Sequence, residues 1–240
     1  MARDEETSPT PAGPPIKLPP ASRCGLGLVA LVLYGLLWTG WSQEWPWVEK
    51  TNDGALGYFY ALALSHGWWV PLWDGLSTVF APGLWRLLIV LPVLWECWRH
   101  RYRVAAFLAL SVWGSGLLSM SAKAVADRHR PFTQLVEADG SSFPSGHALG
   151  MLVVIGALLL AYSRLLGPRL LGSRLGARAR WAVIGAGIIV VALVGIARVA
   201  LNVHHPSDVL AGWLLGAVWL GACAWLFPPN QRGRKTESTR

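Results

Sequence analysis

Three short polar clusters interrupt an otherwise apolar chain: Lys123-x6-Arg130-Pro131, then Pro144-Ser145-Gly146-His147, then Arg198-x5-His204-x3-Asp208. Together they hold cations, two imidazoles, a carboxylate and a glycine turn. That set can bind a phosphate, attack it and protonate its leaving group. Guanidinium forks match phosphate oxygens, and an ammonium adds a point charge. A proline–glycine helix start offers free N–H groups and a positive dipole end to an anion. A carboxylate on one imidazole nitrogen fixes the tautomer and makes the other nitrogen a better nucleophile.

Each cluster alone also fits a plainer reading. Pro144 to His147 could be an ordinary helix start with a surface histidine. Lys123 and Arg130 could be a basic flank that snorkels to headgroups. His204 and Asp208 could simply cap a helix. Arg198 is harder to dismiss, because it lies inside the apolar run Ile188–Leu201, and an ionisable group within a span marks function by default.

The elements that carry these clusters read as membrane spans. The 240 residues are 53% hydrophobic and only 14% charged, with 15 tryptophans, whereas soluble domains carry about 25% charged residues. A span needs about 20 mostly apolar residues. Six stretches fit: Cys24–Trp41, Leu76–Trp98, Val104–Val125, Ser145–Leu166, Trp181–Leu201 and Ser207–Phe227. The fold expected is all-α, a six-helix transmembrane bundle. The second stretch contains Pro82, Gly83, Arg86 and Pro92, so a late start or a kink is expected there. Between the first two, Gly54–Trp73 reads as an extra interfacial helix plus loop, with Tyr58, Tyr60, Trp68, Trp69 and Trp73 at headgroup level.

Residues 1–22, rich in proline, read as a disordered cytoplasmic arm, 23–228 as the spanning domain and 229–240 as a basic cytoplasmic tail. The first apolar run lacks a small-residue cleavage pattern after Trp41, so it reads as an uncleaved span. Cys24, Cys97 and Cys223 are widely spaced and read as packing residues.

Orientation follows from charge. With six spans, fifteen of the 21 lysines and arginines fall on one side, which the positive-inside rule makes cytoplasmic. All three polar clusters then meet at the opposite, extracytoplasmic face of a cell-membrane protein, with both termini cytoplasmic. The net charge of +8 reflects this loop bias, and the split among short loops argues against nucleic-acid binding. His129, His147, His204, His205, Asp127 and Asp208 could in principle ligate zinc. However, Lys123, Arg128, Arg130 and Arg198 crowd the same place, and cations repel a dication while attracting an oxyanion. No metal and no cofactor is expected.

In order and spacing, from Lys123 to Asp208, the clusters resemble the type 2 phosphatidic acid phosphatase superfamily, membrane phosphatases acting on lipid phosphates. The resemblance implies that Lys123, Arg130 and Arg198 hold the phosphate, assisted by Ser145 and the Gly146 backbone. It implies that His204 attacks phosphorus to form a phosphohistidine, that Asp208 orients His204, and that His147 protonates the leaving oxygen and then activates water. Arg128 matches a frequent basic residue of the family, whereas His129 and His205 match no role. One departure is Ala197, where the family usually has serine, so one hydroxyl donor is missing. The implied partner is a membrane lipid, with an undecaprenyl-type diphosphate favoured over phosphatidic acid or phosphatidylglycerophosphate. A lipid phosphotransferase and a non-enzymatic binder of anionic lipid are the alternatives from other classes.

Overall fold

The computed structural model describes residues 20–165 and 177–228. The proline-rich arm before residue 20, the loop bearing Arg169 and Arg174, and the tail from 229 lie outside them. Among the described residues all regular structure is helical: α1 Pro20–Ser42, α2 Pro46–Ser65, α3 Trp69–Val79, α4 Pro82–Leu88, α5 Val90–Trp98, α6 Tyr102–Ala126, α7 Gly146–Leu165, α8 Ala177–Ala200 and α9 Pro206–Leu226.

Among the described residues, five stretches are long and apolar enough to cross a bilayer: Gly25–Ser42, Trp69–Trp98, Tyr102–Ala126, Arg178–Ala200 and Pro206–Leu226. A sixth apolar stretch, Gly146–Tyr162, is shorter. The segment between the first two stretches differs from expectation. It forms a full helix, α2, from Pro46, and then a second helix, α3, that belongs to the next apolar stretch. Proline at a first helical position explains both the start of α2 and the α3–α4 break before Pro82. The kink expected in the second span is therefore a division into three short helices.

α7 is the central helix, packed against α4, α6, α8 and α9. Its contact with α9 is close enough to require glycine. A Cβ on Gly212 would stand 2.6 Å from the Ser145 carbonyl oxygen and 3.2 Å from the Leu149 nitrogen. Small residues at such crossings let backbones approach where no hydrophobic drive exists between helices. The Ser145 N–H donates to the Asp208 carbonyl at 2.9 Å, so the starts of α7 and α9 are tied to each other directly. On α6, Ser111, Ser115 and Ser119 recur every four residues on a buried stripe, and Lys123 continues that stripe to the site.

α1 supplies an aromatic wall. Tyr34, Trp38 and Trp41 surround Phe143, with ring centroids 5.6, 5.6 and 5.9 Å from it. Phe143 is completely buried there, which fixes the chain just before α7. The Phe143–Pro144 peptide bond is cis. α7 begins at Gly146, so Pro144 stands before the helix rather than at its first position.

Candidate active site

All three clusters converge at one end of the bundle. α6 delivers Lys123 in its last turn and stops at Asp127, whose φ of 47° is left-handed. α8 delivers Arg198 in its last turn. The chain then turns through Asn202, also left-handed at φ 51°, a conformation asparagine tolerates better than most residues. Asn202 is fully buried and anchors the turn: its Nδ2 donates to Leu56 O at 3.1 Å and to Thr133 Oγ1 at 2.8 Å. His204 follows, and α9 starts at Pro206 with Asp208 as its third residue. Asp208 Oδ2 accepts from the His205 N–H at 2.8 Å, so the carboxylate caps the helix and sits where the dipole favours negative charge.

A cavity of about 360 Å³ is lined by Lys123, Arg130, Gly146, His147, Arg198 and His204. Six of the eight residues singled out above therefore share one space. Asp208 and Ser145 stand behind it, fully buried. The Ser145 hydroxyl lies 3.5 Å from the Ala148 N–H, within its own helix start.

His204 is 2% exposed. Its Nδ1 lies 3.5 Å from Asp208 Oδ2, at the outer limit of hydrogen bonding, and has no nearer partner. Its Nε2 faces Arg130 Nη1 at 3.4 Å and the cavity. Burial, opposed by Asp208, pushes the His204 imidazole down to about 3. The ring is therefore neutral across the physiological range. With its proton on Nδ1, Nε2 turns its lone pair toward Arg130 and the cavity.

The cations differ in how they are held. Arg130 donates from Nε to Gly140 O at 3.0 Å, from Nη2 to Asp139 O at 2.8 Å and from Nη1 to Val203 O at 2.7 Å. It thereby fastens the α6–α7 loop to the His204 turn. Lys123 Nζ donates to Ser141 O. Arg198, 7% exposed, donates from Nη1 to the Ser77 hydroxyl, and its Nε has no partner.

Three contributors escaped sequence reasoning. Arg128, expected only as an accessory, is buried and donates from Nη1 to Asp208 Oδ1 at 2.7 Å and to Ser207 Oγ at 2.8 Å. Its guanidinium also lies 5.2 Å from the Trp41 ring centroid and 3.8 Å from Glu49. His205, given no role, places Nδ1 3.2 Å from Asp208 Oδ2. Ser77, from α3, brings a hydroxyl to Arg198, whereas the buried methyl of Ala197 cannot. Arg128 was legible only as a match to a frequent basic residue of the family, and no local motif marks His205 or Ser77.

The chain is also similar to known proteins. A family model described as PAP2 superfamily matches residues 104–232. An undecaprenyl-diphosphatase from Sulfolobus acidocaldarius is 33% identical over 151 residues, covering 59% of this chain and 65% of the relative. A phosphatidylglycerophosphatase B from Bacillus subtilis is 38% identical over 114 residues, covering 45% of this chain and 51% of the relative. The chain thus spans about two-thirds and about half of these relatives' lengths. The crystal structure of a transmembrane PAP2-type phosphatidylglycerolphosphate phosphatase from Bacillus subtilis superposes with a TM-score of 0.68 at 23% identity, covering 85% of this chain and 94% of that one. That likeness extends to the fold, all-helical and transmembrane. With its long apolar helices, its clustered cations and the matched region embracing all three motifs, this chain is a multi-pass membrane protein and a member of the PAP2 superfamily.

Proposed function

We propose that the protein is a phosphatase that hydrolyses a lipid phosphate, a prenyl diphosphate of the undecaprenyl type being favoured, at the extracytoplasmic face through a phosphohistidine. The observation that carries this reading is the placement of His204: Nε2 opens on a cavity walled by Lys123, Arg130, Arg198 and His147, and Nδ1 turns toward Asp208. Nε2 attacks phosphorus while the bond to the leaving oxygen breaks. His147 gives that oxygen its proton. His147 then takes a proton from water, which attacks the phosphohistidine and frees phosphate. The three cations balance charge on the equatorial oxygens, the largest electrostatic demand of phosphoryl transfer. The names of the two relatives support a lipid phosphate substrate, and the charge bias of the loops supports six passes with both termini cytoplasmic.

The test is a phosphate-release assay on detergent-purified protein with prenyl diphosphates, phosphatidic acid and phosphatidylglycerophosphate. Release from none of them overturns the proposal. Turnover is expected to persist in excess EDTA, because the cation-rich cavity repels a dication. Vanadate, which adopts the trigonal-bipyramidal geometry of in-line transfer, is expected to inhibit. Activity abolished by EDTA and restored only by a divalent metal would reverse the mechanism.

The pH dependence follows from His204. A histidine held near 3 loses its nucleophilic lone pair only as the pH falls toward that value. After correction for substrate ionisation, kcat/KM should therefore show no acidic limb from His204 between pH 5 and 8. An acidic limb near 6.5 that persists in the wild type after that correction would contradict the assignment.

A further inference from the structure

Arg86 has no use in the mechanism above, yet it lies within the apolar tract Trp69–Trp98. Its side chain is half-buried, and its Nε is buried without a hydrogen-bond partner. Among the described residues no carboxylate pairs with it. An ionised group within a span is expensive and is normally paired. A guanidinium cannot escape by losing its proton. One left without an anion argues for a partner that arrives from outside the chain.

The notch that holds it is built from missing side chains. A Cβ on Gly116 of α6 would stand 3.0 Å from Arg86 Nε and 3.1 Å from Cζ, and one on Gly150 of α7 would stand 3.8 Å from Nη2. These two glycines place the guanidinium relative to the catalytic cavity. Gly150 is three residues along α7 from His147, roughly 5 Å deeper, and Gly116 is seven residues along α6 from Lys123, roughly 10 Å deeper. Ser119 bridges the interval. It is 5% exposed, lies between Gly116 and Lys123 on the same helical stripe, and its Oγ would be 3.1 Å from a Cβ on Gly146. Lys123, Ser119 and Gly116 thus follow one face of α6, from the cavity that Ser77, Thr78 and Ala81 also line, inward to the level of Arg86.

A lipid whose terminal phosphate sits in that cavity has its tail pointing into the bilayer. The atoms next to the reacting phosphorus lie on this inward side. In a diphosphate they are the second phosphate group, one bridging oxygen away, fully charged and matched to a guanidinium fork. In phosphatidic acid they are the neutral glycerol carbons, and in phosphatidylglycerophosphate a neutral glycerol separates the reacting phosphate from a singly charged phosphodiester. We propose that Arg86, with Ser119, forms a second anion subsite on the leaving-group side, which takes the membrane-proximal phosphate of a lipid diphosphate. This rests on the phosphatase reading and adds to it the residue that selects a diphosphate.

The experiment compares the detergent-purified full chain with Arg86→Gln and Gly116→Ala. The first readout is the ratio of kcat/KM for a prenyl diphosphate to that for the matching prenyl monophosphate. Arg86→Gln is expected to lower this ratio about 10- to 100-fold, the worth of one hydrogen bond to a charged group. Gly116→Ala, which crowds the guanidinium without removing it, is expected to lower the ratio in the same direction. The second readout is thermal stabilisation by inorganic pyrophosphate against orthophosphate. The wild type should favour pyrophosphate, and Arg86→Gln should erase the preference. This arm needs no turnover, so it decides the role of Arg86 even if the wild type hydrolyses neither lipid. An unchanged ratio and an unchanged pyrophosphate preference overturn the proposal. So does an equal fall for diphosphate, monophosphate and phosphatidic acid together with a lowered Tm, which is the signature of a structural role.

Discussion

His204→Ala is expected to reduce phosphate release by about 10⁵-fold or more, to the level of buffer, because it removes the group that would carry the phosphoryl. The site offers no substitute on the same line. His147 is the other imidazole on the cavity, but it is needed for the leaving oxygen. His205 faces Asp208 rather than that cavity. The variant should fold. A neutral buried ring with an unfilled Nδ1 contributes mainly packing, so its loss costs about 1–3 kcal/mol. Purified His204→Ala should elute and melt close to wild type while turning over nothing. In wild type, rapid quenching should trap an acid-labile phosphoryl on histidine. A folded His204→Ala protein that keeps activity within tenfold of wild type would remove the phosphohistidine step.

Asp208→Asn comes next, with an expected loss of about 10³- to 10⁴-fold in kcat, the scale seen when an orienting carboxylate is neutralised without changing its shape. KM should move little, since the cations that hold the phosphate are untouched. Here stability and activity separate. Asp208 is fully buried and Arg128 nearly so, and they meet at 2.7 Å. Neutralising one partner strands the other, at a cost of about 3 kcal/mol. The stacking on Trp41 and the Glu49 carboxylate keep that cost at the low end. Adding Arg128→Met to Asp208→Asn should recover much of the melting temperature and none of the activity. If the double variant recovers both, Asp208 acts only as scaffold for the loop. If Asp208→Asn alone keeps full kcat, the carboxylate does not orient the nucleophile.

Five of the six expected spans and the three clusters were legible from composition and spacing because both signals are local. Twenty apolar residues demand a helix in lipid whatever surrounds them. Pro206 announced the start of α9, and Asp208 three positions inside it obeyed the capping rule. The breaks at Pro82 and before Val90 were half legible: proline foretold an interruption, but not that Trp69–Val79 would continue the same apolar stretch and bring Ser77 to Arg198. That contact joins positions 121 residues apart. Arg128 reaches Asp208 across 80 residues, and Trp41 and Glu49 approach the same guanidinium from α1 and α2.

By itself, then, the amino-acid sequence determined a helical membrane protein with three cations, two imidazoles and one carboxylate on one face, because hydropathy and charge act on each segment independently. Only the tertiary structure decided which groups share the cavity, which of two adjacent histidines turns Nε2 into it, and that a lone guanidinium lies inward of it between two glycines. Those choices depend on how closely helices pack and which buried polar atoms find partners, and that is set by groups distant in the chain and near in space.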